Sequence, residues 1–228
     1  MRIALIHALR HSPPAIEAAF ARAWPEPRLM NLLDDSLSAD LARDGRLTPA
    51  MTERFLDLGR YAAATGADGI LFTCSAFGPC IEAVAGRHAP MPVLKPNEAM
   101  IEEACAAARE VARQVGPPGR RPRIGLLATF APTLESMPPE FPADVELVPA
   151  LAEGALAAMD AGDPATHDRL AAEAARAVAD CDVIALAQFS LARAAPAVAA
   201  ATGRPVFTTP DSAVRKLRRL LLGPDAPG

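Results

Sequence analysis

The sequence predicts an α/β protein of two similar lobes from an internal duplication, each a parallel-type sheet flanked by helices, with the active-site cleft expected between them. Three observations predict this. Short apolar runs alternate with long Ala-rich amphipathic stretches, the pattern of βα units around a parallel sheet. The same order of elements occurs twice. Between the copies lies Gly116-Pro117-Pro118-Gly119-Arg120-Arg121-Pro122, a stretch of breakers and charge.

In the first copy, Arg2 to Ala8 reads as a strand. A polar turn, Arg10-His11-Ser12-Pro13-Pro14, and a helix to about Arg22 follow it. Leu29 to Leu33 is the second strand. Thr48-Pro49 sets a capping hydroxyl before a proline at the first helical position and opens a helix to about Thr65. Gly69 to Cys74 is the third strand. The second copy repeats this order with Arg123 to Thr129, Val145 to Val148, the cap-proline pair Asp163-Pro164 and the strand Asp182 to Gln188. Met91 to Ala99 and Arg204 to Ala213 then agree as a short strand, a turn and a new helix. The last helix, Asp211 to Leu222, is expected to pack back on the first half, each closing helix crossing to the other lobe. The first lobe is therefore 1–94 plus 208–228 and the second 95–207.

Composition narrows the function classes. The chain has 228 residues, 23 Lys plus Arg against 27 Asp plus Glu, and a net charge of −4. With one Trp and one Tyr it has neither the basic patch nor the stacking aromatics of a nucleic-acid binder. Of its residues 51 are Ala, so the apolar fraction reflects helix-forming methyl groups. The longest uncharged run, Gly69 to Ile81, is 13 residues, short of the ~18 to 20 that cross a bilayer. Neither membrane nor nucleic acid is expected as a partner. The N-terminus lacks the h-region and cleavage site of a secretory leader, so a cytoplasmic location is expected. A two-fold dimer is the base-rate expectation for assembly.

In a parallel α/β sheet, ligands bind outside the carboxyl ends of the strands, where helix N-termini present free N–H groups. Those ends carry His7 to Ser12, Thr73-Cys74-Ser75, Thr129 to Thr133 and Gln188-Phe189-Ser190. A thiol there sits in a field expected to lower its pKa, which makes Cys74 the candidate acid/base. The four cysteines have no CxxC spacing, so zinc and thioredoxin-type readings are not suggested. Cys105 and Cys181 read as packing residues, and so does Cys80, in the first helical turn. Ser75, Thr73, Thr129, Thr133, Gln188 and Ser190 are candidate substrate-binding groups, as donors to a carboxylate. Phe189, with Phe77 and Phe130, is a candidate apolar wall. His7 and His11 flank the first strand end as candidate substrate contacts, although a lone turn histidine is more often solvated or capping. His88 and His167 receive no role.

The duplicated unit, Thr73-Cys74-Ser75 after its third strand, Gly125-Leu126-Leu127-Ala128-Thr129 with Thr133 opening the second half, and the matching strand end at Gln188 together resemble the aspartate/glutamate racemase superfamily. That group includes hydantoin racemases, maleate isomerases and arylmalonate decarboxylases, and the resemblance covers nearly the whole chain. It implies cofactor-independent proton transfer at a carbon alpha to a carboxylate. In the racemases one cysteine from each half faces the substrate's α-carbon, with no pyridoxal phosphate or metal. Cys74 matches the first of these. Where the second is normally found in a Leu-Gly-Cys-Thr type stretch, this chain has Leu186-Ala187-Gln188-Phe189, and an amide is neither acid nor base in water's pH range. Arylmalonate decarboxylases also keep one thiol, that of the second half, whereas this chain keeps the first. The resemblance therefore implies a one-cysteine racemase, isomerase or decarboxylase acting on a small carboxylate, with no cofactor. Two readings compete with it: a non-catalytic small-carboxylate binding protein of the same fold, and nucleophilic cysteine chemistry through a thioester, which needs a base beside the thiol.

Overall fold

The computed structural model describes residues 1–10, 12–115, 117 and 119–223. His11 and, in the junction between the copies, residues 116 and 118 lie outside the described residues. The chain divides into two units, Met1–Glu98 with Ala213–Gly228, and Ala99–Ser212. Each seam falls inside the opening turn of a helix, a few residues beyond the 94/95 and 207/208 boundaries expected from the sequence.

The first unit runs β1 (Arg2–His7), α1 (Ser12–Ala23), β2 (Arg28–Leu33), α2 (Ser36–Asp44), α3 (Pro49–Ala64), β3 (Gly69–Phe72), α4 (Gly78–His88) and β4 (Val93–Leu94). Next comes α5 (Glu98–Val115). The second unit runs β5 (Arg123–Ala128), α6 (Ala131–Ser136), β6 (Glu146–Leu151), α7 (Ala155–Asp160), α8 (Pro164–Ala175), β7 (Val183–Leu186), α9 (Ala195–Thr202) and β8 (Val206–Thr208), and α10 (Thr209–Leu222) closes the chain. Each unit holds one four-stranded sheet, ordered β2-β1-β3-β4 and β6-β5-β7-β8, and every pairing is parallel.

The duplication extends to individual atoms. Asp68 and Asp182 each donate a backbone N–H to the carbonyl of the residue that opens the central strand, Arg2 at 2.8 Å and Arg123 at 2.9 Å. Their carboxylates accept the N–H of the same two residues, at 2.7 and 2.8 Å. Thr48 and Asp163 cap α3 and α8 by accepting from Met51 and Thr166 at 3.2 and 3.0 Å, each ahead of a proline at the first helical position. The parallel strands are near-continuous apolar runs because both sheet faces are covered. Along β5, Ile124, Leu126 and Ala128 face a core with Met100, Ala104, Cys105 and Ala108 of α5. Leu127 turns to the opposite core, with Ala171, Ala175, Val178 and Cys181. Helix α5 thus follows β4 yet packs in the second unit.

Three differences from the sequence reading have physical reasons. Helix α2 was not expected, because a single buried side chain, Leu37, marks it. Strand β6 continues to Leu151 through Pro149, which an edge strand tolerates since a proline there costs no ladder bond. Strands β3 and β7 end at Phe72 and Leu186, so Thr73-Cys74 and Ala187-Gln188 lie just past the ladder.

Candidate functional site

At the carboxyl end of β3 the chain leaves the sheet with Thr73 still held to it, its N–H donating to the Ile6 carbonyl at 3.0 Å. Cys74 is extended (φ −125°, ψ 121°) and precedes a 3-10 turn, Ser75–Phe77, that leads into α4. Alternation across the strand sends neighbouring side chains to opposite faces. Cys74 packs on the face that holds Phe72, Phe55, Phe77 and Leu37. Cys74 lines a narrow gap with Ala8, Leu37, Phe55 and Phe72, too tight for a water molecule. Phe55 stacks on Phe72 and tilts against Phe77, with ring centroids 5.3 and 4.9 Å apart. Phe77 is therefore a core residue.

The expected lowering of the Cys74 pKa is corrected. Burial pushes this thiol up, outweighing the Ala76 N–H and the Ser38 side chain, which act the other way. The reason is that the following turn is only three residues long, too short to sum the peptide dipoles of a helix, whereas a thiolate among aromatic rings loses most of its hydration. Ser38, which donates to the Ala8 carbonyl at 3.0 Å, and its helix α2 are parts of this environment that the sequence reading missed. The available signal was the run Asp34-Asp35-Ser36 after β2, a helix-start composition. Arg54 of α3 fastens that segment, bonding Asp34 at 2.6 Å, Asp40 at 2.5 Å and Ser36 at 2.6 Å.

His7 is not a solvated turn residue. It is the fully buried last residue of β1. Its Nδ1 lies 2.8 Å from Thr73 Oγ1 and its Nε2 lies 2.9 Å from Asn31 Oδ1. Asn31 in turn donates to Glu17 at 2.6 Å. Burial lowers the His7 pKa, while the Asn31 bond and the Glu17 charge act the other way. Both ring nitrogens are engaged, so His7 cannot take the Cys74 proton without breaking a bond, and His11, the other candidate base for the thioester reading, lies outside the described residues.

In the second unit, at the place matching Cys74, Gln188 Oε1 accepts from both the N–H and the hydroxyl of Thr129, at 2.7 and 2.9 Å. Ser190 opens a 3-10 turn to Ala194, and Phe189 beside it is buried. Thr133 sits in α6, its N–H on the Phe130 carbonyl at 3.0 Å, and the Phe130 ring is half exposed. The structure thus joins His7 with Thr73, and Thr129 with Gln188. The sequence tail match did not single out the hydroxyls at and beyond the end of β8. Thr208 bonds Asp211 at 2.5 Å, Thr209 bonds the Leu186 carbonyl at 3.2 Å and Ser212 bonds Glu103 at 2.7 Å. Cys80, Cys105 and Cys181 are buried packing residues, and burial pushes Cys181 up to about 11. Among the described residues no three His, Cys, Asp or Glu side chains gather as metal ligands would, and no helix is long and apolar enough to cross a membrane.

No family model and no curated sequence matches the chain. Solved structures do. An allantoin racemase from Klebsiella pneumoniae superposes with a TM-score of 0.69 at 20% identity, covering 96% of this chain and 87% of that one. A glutamate racemase from Bacillus anthracis gives 0.63 at 12% identity, covering 96% and 80%. An arylmalonate decarboxylase gives 0.60 at 20% identity, covering 98% and 94%. The chain, with its two four-stranded parallel sheets flanked by helices, therefore shares the fold of these racemases and this decarboxylase.

Proposed function

We propose that the chain is a cofactor-independent enzyme that delivers a proton to the carbon alpha to a carboxylate of a small substrate, with Cys74 as its one acid/base. The asymmetry between the two matching strand ends carries this reading. One end presents a thiol. The other presents an amide whose oxygen is already taken by Thr129. With no second acid/base at that position, a two-thiol racemisation is disfavoured against a reaction that needs a single proton delivery. Burial keeps Cys74 in its protonated form, which is the form that donates.

Loss of carbon dioxide from a substituted malonate would leave an electron pair on the α-carbon, delocalised as an enediolate-like anion. The Cys74 S–H bond breaks as the new C–H bond forms, and the thiolate regains its proton from water. Ser75 and the N–H groups of its 3-10 turn are the proposed donors to the substrate carboxylate. In chemistry of this kind, preorganised donors that stabilise the anion lower the barrier more than any other single effect. Support for the class comes from the neighbours, which are racemases and a decarboxylase.

The test is proton NMR in D2O with a panel of amino acids, hydantoins, maleate and substituted malonates, for the wild type and Cys74→Ala. Deuterium incorporation or a new product that is lost in Cys74→Ala is expected, and the product names the reaction. The rate should hold through neutral pH and fall only above the ordinary thiol range, where the proton donor is lost. Binding of a panel member with no Cys74-dependent exchange or product would replace this reading with the small-carboxylate binding protein.

A further inference from the structure

Between the surface and the strand end that carries Cys74 runs a chain of hydrogen bonds with a fixed direction. Glu17, on the exposed side of α1, accepts from Asn31 Nδ2 at 2.6 Å. A carboxylate can only accept, so it forces the Asn31 amide to turn its NH2 outward and its oxygen inward. The inward oxygen lies 2.9 Å from His7 Nε2. A carbonyl oxygen can only accept as well, so Nε2 must carry the proton. His7 is completely buried, where a neutral ring is favoured. A neutral ring protonated on Nε2 has a bare Nδ1, and the atom 2.8 Å from it is Thr73 Oγ1. The hydroxyl therefore donates to Nδ1. Its other acceptor within reach, the Ile6 carbonyl, is 3.4 Å away and is left as the weaker partner.

The geometry points to His7 as a positioning residue: its ring, held as the Nε2–H tautomer by Asn31 and Glu17, draws the Thr73 hydroxyl onto Nδ1 and anchors the strand end from which Cys74 projects. The bond to the ring fixes the Thr73 rotamer on the α1 face. The backbone N–H of Thr73 is fixed to Ile6 at the same time. Cys74 is the next residue, so the two bonds set where its side chain leaves the chain. Thr73 is thereby a strut, and its hydroxyl proton is committed to His7 instead of to a substrate carboxylate. The bearing of this device on catalysis rests on the Cys74 reading above, but the tautomer does not.

The experiment is long-range 1H–15N correlation of the imidazoles in the whole protein, with His7 assigned by its loss in His7→Gln and, independently, by its perturbation in Thr73→Val. The expected wild-type pattern is one neutral tautomer with the proton on Nε2. Thr73→Val should move the Nδ1 resonance downfield, as an acceptor losing its donor does, and Thr73→Ser should restore it. Glu17→Gln is the deciding variant, since it keeps the shape but lets the chain of amides run in either direction. It should yield a mixture of both tautomers, two hydrogen bonds away from a substitution on the surface. A wild-type ring protonated on Nδ1, a charged ring at neutral pH, or a Glu17→Gln ring with its tautomer unchanged would overturn the proposal. Where Cys74-dependent turnover is found, Thr73→Val lowers kcat by ~10- to 100-fold with KM unchanged, the scale of a misplaced reacting group. Thr73→Ser restores it. Loss of turnover in every assay alongside the expected tautomer would remove the catalytic reading and leave the anchor standing.

Discussion

At the scale of single residues, burial sets which protons the strand ends hold. His7 is neutral inside the sheet and becomes protonated in the unfolded chain below its ordinary pKa of about 6.5, because burial lowers its folded value. The unfolded state therefore binds more protons as the pH falls. The stabilisation is fully present above about pH 6.5 and is lost progressively as the pH drops toward the folded pKa. Urea midpoints taken between pH 7.5 and 5 should decline for the wild type. They should stay flatter for His7→Gln, and equal slopes would show that His7 accepts a proton without cost. The Asp34 carboxylate, held below its ordinary range by Ser36 and Arg54 despite partial burial, titrates at lower pH and does not confuse this window. The thiol was legible from its place after a strand, but the role of His7 was not. Asn31 pairs with Leu5 across the parallel register, on the same face as His7 two residues on, and no local pattern in a sequence announces such a diagonal neighbour. The sign of the Cys74 shift was misread for a related reason, since one of the aromatic rings that desolvate it, Phe55, arrives from α3.

Elements were legible where turn chemistry and periodicity agreed. The caps at Thr48 and Asp163 and the apolar runs of β1, β3, β5 and β7 each left a local mark, whereas α2 had one buried leucine to show for nine residues. Close packing between elements left a subtler mark in the glycines. Gly125 lies in the centre of β5, where a glycine is ordinarily a weakness. A Cβ built there would stand 2.8 Å from both Cβ and Cγ2 of Val178, in the 3-10 turn after α8. A branched side chain that is itself 1% exposed has nowhere to go. Gly125→Ala should therefore destabilise the protein by about 1–3 kcal/mol, the range for overpacked cores, although alanine is the better strand residue by entropy. Thermal unfolding measures it. Combining the substitution with Val178→Ala should recover part of the loss, and additivity of the two would mean the contact is not the cause.

For the whole molecule, the order of the chain and the order of the cores differ. Helix α10 follows the last strand of the second unit, yet from Ala213 onward it belongs to the first. Leu217 is fully buried. A Cβ on Gly69, the first residue of β3, would lie 3.1 Å from Leu217 Cδ1 and 3.3 Å from Leu221 Cδ1. Lys216 bonds Glu98 at 2.5 Å, and Arg218 reaches the Ala23 carbonyl at the end of α1 at 3.2 Å. The sheet that carries Cys74 therefore depends on residues more than a hundred positions downstream. Leu217→Ala removes the side chain without touching any strand, and it should cost ~2–5 kcal/mol, the range for a buried leucine lost from a packed core. The distribution of that loss identifies its cause. Amide hydrogen exchange should speed up in β1, β3 and β4 of the first unit while β5 and β7, covered by α5 and α8, keep their protection. Exchange rising first in β5 to β8 would mean that α10 supports the unit it follows in sequence. The expected pattern instead ties the last helix of the chain to the stability of the first sheet and to the thiol at its edge.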